Sequence, residues 1–184
     1  ELDPTIPVEG VDYKAHMKEK FGSDAGKDRA NTMRQALIDY GQAEGIPYQF
    51  DRITRRPNSF NAHRLVRWAQ GQQKGSEAKE ALFKAYFQDG RDIGETDVLV
   101  DIAREIDLDP AIVAELMPTD ADVENVRNEE ALFQQMGISG VPTYIANRQV
   151  AVQGAETAEK LAKFLRDAAA RLPEERPTGR DSAE

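Results

Sequence analysis

One stretch of the chain alternates as a hairpin does, and it arrives late. PTYIA and QVAVQG flank Asn147-Arg148 and read as two short strands around a tight turn. Before it, the periodic patterns have helical spacing. A lone two-stranded hairpin is marginal in water. It needs strands to pair with, and the other extended candidate is the opening segment around Leu2. The order therefore predicts an α/β fold whose sheet is completed elsewhere, with at least one strand upstream of Glu1.

The helical patterns carry their own punctuation. Asp12 can cap YKAHMKEKF, which ends at Gly22. A second helix is predicted from about Asp28 to Glu44, with Ala30, Met33, Leu37 and Tyr40 on an inward face. Ile46, Tyr48 and Phe50 alternate in a short extended piece. Asn58 or Ser59 can cap FNAHRLVRWAQ, which buries Ala62, Leu65, Val66 and Ala69. The next helix, about Glu77 to Asp89, sets Leu82, Phe83, Tyr86 and Phe87 on one side, read as core. Thr96 can cap DVLVDIAREI, with Val98, Leu99, Ile102 and Ile106 inward. Asp109-Pro110 is a capping side chain followed by proline at the first helical position, and Pro118 ends that short helix. A helix from near Asp120 carries Val123, Val126, Leu132, Phe133 and Met136 to Gly137. The last one sets Leu161, Phe164, Leu165, Ala168 and Leu172 on one face.

Composition narrows the chemistry. A net charge of -9 argues against a nucleic-acid partner, which would need clustered Lys and Arg. No run of about 18 apolar residues predicts a membrane span. No signal peptide is visible, which makes the cytoplasm the expected location, although the chain opens on Glu1 rather than Met. Zero cysteines leave no disulfide, thiolate metal site or thiol nucleophile within these residues. His16 and His63 sit on separate predicted helices without ligand-spaced partners, so no metal site is expected. GQQKGSE lacks the end of a phosphate loop, and no nucleophile elbow occurs.

Two places remain, each with two readings. Pro57 to Leu65 gathers polar side chains at a helix start. Asn58 and Ser59 are caps with His63 and Arg64 on the solvent side, or the group faces a cleft where helix amides favour anions and thiolates. Pro142 in Gly140-Val141-Pro142-Thr143 is a proline at a strand start, or it follows a cis bond.

ELDPTIPVEG, PNSFNAHRLVRWA, LFKAYFQDGRDIGETDVLVDIA and GISGVPTYIANRQVAVQGA, in this order, resemble one family. It is the DsbA-like thiol–disulfide oxidoreductases of the FrnE type, related to 2-hydroxychromene-2-carboxylate isomerases and kappa-class glutathione transferases. The resemblance covers most of residues 1–170. It implies an α/β, thioredoxin-like fold with a large inserted α-helical domain. Residues 1–10 would end a thioredoxin strand and 11–118 would be mainly the insertion. Residues 119–172 would be the second half (helix, hairpin, helix), before a disordered tail at 173–184.

The resemblance also implies that Val141-Pro142 is a cis-proline loop and that Val141, Pro142 and Thr143 bind substrate. Asn58, Ser59 and His63 would border the same cleft. The family's Cys-x-x-Cys is expected upstream of Glu1, so no catalytic residue is assigned within the chain. The substrate would be a thiol or disulfide protein, or glutathione, with no tightly bound cofactor and the oligomeric state open. The alternatives are a glutathione-dependent isomerase or transferase, and a peptide-binding module without chemistry.

Overall fold

The computed structural model describes residues 5–171. The expected strand end around Leu2, the buried position of Leu172 and the tail at 173–184 lie outside the described residues. The chain divides into two compact units between Ala131 and Leu132.

The first unit opens with turns over residues 5–10. Gly10 takes φ +67°, and a Cβ there would lie 2.7 Å from the Arg56 carbonyl oxygen, so only glycine fits this approach. A two-residue strand β1 (Val11–Asp12) then pairs antiparallel with β2 (Arg55–Arg56). The Asp12 carboxylate accepts from the Ala15 N–H at 2.7 Å and caps α1 (Tyr13–Phe21). Ser23 caps α2 (Asp24–Ala43), which begins four residues before the expected start. Neither helix behaves as a core helix. Among the described residues α1 buries none, and α2 buries only Gly41, against the Tyr48 ring. Met33, Leu37 and Tyr40, read as inward from their spacing, are exposed. An apolar stripe is buried only when a partner covers it, and spacing does not name the partner.

Residues 46–53 form no strand, only a 3₁₀ turn over Phe50–Arg52. Tyr48 stacks on Phe50, and both meet the edge of Phe87. The core follows from α3 (Phe60–Gly71), α4 (Gly75–Phe87), α5 (Thr96–Glu105) and α6 (Pro110–Leu116). Leu65, Leu99 and Ile102 are wholly withdrawn from water, each contributing roughly 1.5–3 kcal/mol. Ala62, Ala69, Ala78, Ala85 and Ala103 fill the gaps between them, where small side chains let helices approach. On α4 the buried face is Ala78, Leu82 and Ala85, and Phe83 is 60% exposed, not core. α5 starts at Thr96 with Glu105 last; its cap position is Glu95, not Thr96. Asp109 accepts from the Ala111 and Ile112 N–H groups at the start of α6.

Helix α7 (Val123–Gln135) buries Val126 alone; Leu132, Phe133 and Met136 are exposed, contrary to the inward reading. In the second unit β3 (Thr143–Ala146) and β4 (Val150–Gln153) pair antiparallel, Thr143 opposite Gln153 and Ala146 opposite Val150. Asn147 and Arg148 both take φ +56°, and the Gln149 N–H donates to the Ala146 carbonyl, the signature of a type I′ turn. Thr157 caps α8 (Ala158–Ala169), and the Asn147 amide donates to the Ala168 carbonyl at its far end. Ala168 is buried, whereas Leu165 is exposed. No described helix is long and apolar enough to cross a membrane.

Candidate functional site

The loop into β3 is built from its own short contacts. The Thr143 hydroxyl donates to the Gly140 carbonyl at 2.7 Å, and the Gly154 N–H donates to the Pro142 carbonyl at 2.8 Å. A Cβ at position 140 would lie 2.7 Å from the end of the Gln153 side chain, which would have to swing aside. The Val141–Pro142 peptide bond is cis. Val141 is 72% exposed, and its N–H and C=O have no partner among the described residues. The loop therefore presents one donor and one acceptor at the head of a strand. An extended peptide can pair with such a pair of groups whatever its side chains.

Asn58, Ser59 and His63 belong to the first unit; Val141, Pro142 and Thr143 belong to the second. The Asn58 amide is engaged at both ends. It donates to the Ile6 carbonyl at 2.8 Å and accepts from the Phe60 N–H at 2.9 Å. It closes the start of α3, where Ser59 makes no side-chain cap bond; the Ser59 carbonyl accepts from the His63 N–H. His63 is on the exposed side, with its imidazole held below the ordinary histidine value, first by loss of solvent around the ring.

Arg64 is the correction at this helix. It does not face solvent; it is 2% exposed. Its Nε donates to the Ala121 carbonyl, Nη1 to Met117 and to the Asn61 side chain, and Nη2 to Leu116 and Thr119. All five N–H groups are thus placed, and the guanidinium lies over the Trp68 ring. Pro118 brings no N–H to the end of α6, and the carbonyls around it need a donor. Charge alone placed Arg64 at the surface; the missing signal was the proline-broken helix end about fifty residues away in sequence. The sequence also gave no sign of a cavity between α1 and α2, because Met33 and Leu37, which line it, read as core.

A family model described as the DSBA-like thioredoxin domain matches residues 1–166. The chain belongs to the DSBA-like thioredoxin domain family. The probable DsbA oxidoreductase SCO1869 from Streptomyces coelicolor superposes with a TM-score of 0.83 at 26% identity, over 94% of this chain and 74% of that one. The fold is therefore the thioredoxin-like DsbA fold. The uncharacterized protein YwbO of Bacillus subtilis (strain 168) is 28% identical over 125 residues, 67% of this chain. The chain spans 62% of that curated relative's length. Residues 1–166 of this DSBA-like chain include both the Val141 loop and the start of α3.

Proposed function

We propose that the protein is a thiol–disulfide oxidoreductase of the FrnE type, in which this chain supplies the substrate-holding loop. Membership of the DSBA-like family supports the reaction class. The observation that carries the reading is the backbone of exposed Val141 at the head of β3, whose N–H and C=O have no partner among the described residues. In the exchange, a thiolate attacks one sulfur of a substrate disulfide and the other sulfur leaves as thiolate. A second thiol then attacks the mixed disulfide, so two electrons pass and the substrate gains two thiols; the reverse sequence oxidises it. Residues 1–184 contain no cysteine, so both thiols are supplied by residues outside them. Val141 holds the peptide flanking the substrate cysteine, its N–H donating and its C=O accepting.

The intact protein is expected to accelerate insulin reduction by dithiothreitol. A rate equal to that of dithiothreitol alone overturns the proposal. Val141→Pro deletes the donor and should raise KM for a peptide disulfide roughly fivefold, the worth of one hydrogen bond at about 1 kcal/mol. Saturable heat with glutathione and no insulin reduction would instead move the protein to the glutathione-using isomerases and transferases.

A further inference from the structure

Helices α1 and α2 lie side by side in the first unit and border a cavity of about 490 Å³ that is open to solvent. Tyr13, Met17 and Phe21 line it at four-residue steps along α1. Met33 and Leu37 of α2 line it too, and Phe50 is part of the same wall. Of these, Met33 and Leu37 are the side chains that spacing assigned to a core and that α2 does not bury. The volume lies within the range of about 300–1,000 Å³ that small-molecule sites occupy.

The charged lining has one sign. Lys14, Lys18, Lys27 and Arg34 border the cavity, and among the described residues no Asp or Glu does, in a chain of net charge -9. Lys27 is paired with Asp24 at 3.1 Å and Arg34 with Asp51 at 2.6 Å. Lys14 and Lys18 form no ion pair among the described residues. They stand four residues apart, on one side of α1. The uncompensated positive charge of the cavity is therefore at α1, and the rest of its surface is mainly hydrocarbon, aromatic ring and thioether.

We propose that this cavity binds a long-chain carboxylate, its head group between Lys14 and Lys18 and its tail against Met33, Leu37 and Phe50. A cationic amphiphile would meet like charge, and a neutral lipid would leave both lysines unused.

Titration calorimetry on the intact protein, with octanoate, decanoate and dodecanoate below their micelle concentrations, tests this. Dodecanoate should bind one to one, with affinity rising up to about fourfold for each methylene until the cavity is full. Lys14→Glu with Lys18→Glu, both exposed positions, should weaken dodecanoate about tenfold or more by replacing attraction with repulsion. Leu37→Asn should shorten the chain-length dependence with both lysines intact. Dodecyltrimethylammonium should not bind the cavity. No saturable heat with dodecanoate, indifference to the lysine reversal, or equal binding of the cationic probe would overturn the proposal. So would self-association that Leu37→Asn abolishes and dodecanoate leaves intact, which would assign this face to a second copy of the chain.

Discussion

At the residue scale, Arg64 is a buried cation with neutral partners. Burial pushes its guanidinium below the ordinary arginine value, yet an arginine stays charged at any pH a fold survives. Arg64→Met would take the side-chain donor from the carbonyls of Met117, Thr119 and Ala121 together, while Leu116 keeps its bonds from the Thr119 N–H and hydroxyl, and should lower the stability of the first unit by about 3–5 kcal/mol. The urea midpoint, followed by the single tryptophan Trp68, reads this directly. Arg64→Lys should recover little, because a point ammonium cannot span a fork of acceptors. Beside it, Asp122 takes φ +59° and accepts from Arg67, Trp68 and Asn125. These hydrogen bonds, Asn125 first, hold its carboxyl below the usual carboxylate value of 3.8. The folded state thus binds this proton less readily than the unfolded chain. The stabilisation is complete well above pH 3.8 and is lost as pH falls through the lowered folded value. Asp122→Asn should flatten the acid limb of the urea midpoint plotted against pH, and an unchanged limb would remove Asp122 from the account.

At the element scale, the hairpin turn holds two non-glycine residues in the left-handed region. Asn147 tolerates it and binds the end of α8; Arg148 has no such compensation in its backbone. Arg148→Gly should stabilise the hairpin by about 1 kcal/mol, seen as greater amide-exchange protection across β3 and β4. The elements that sequence located well are those written in local chemistry: Asp12 as a cap, Asp109-Pro110 as a start, Asn147-Arg148 as a turn. Each of these needs only neighbours within three residues. Burial was legible where α3 to α6 cover one another, and Leu65, Leu99 and Ile102 are inside as their spacing predicts. It was not legible for Met33, Phe83, Leu132 or Leu165, because the pattern says that a face is apolar and is silent on what lies across from it.

At the scale of the whole molecule, the order of helices followed by one hairpin fitted the DSBA-like fold before any coordinates. The candidate site was legible in part. Glycine, proline and a strand start mark a loop at 140–143, and only the family resemblance pointed to Val141, Pro142 and Thr143 as substrate-holding. The role of Arg64 could not be named, since it depends on a loop far along the chain. The family fold and the Val141 backbone, unpaired among the described residues, together make the redox reading testable on the intact protein. Arg64 holds residues 116–121 chiefly through their backbone. Four of its five bonds go to main-chain oxygens. The arginine therefore reads the path of that loop and not its letters. Amino-acid replacements there are silent to it as long as the path survives. Evolutionary drift can rewrite the segment while Arg64, with Asn61 beside it, stays fixed. In divergent relatives, this corner would be found by searching for the arginine rather than for the loop.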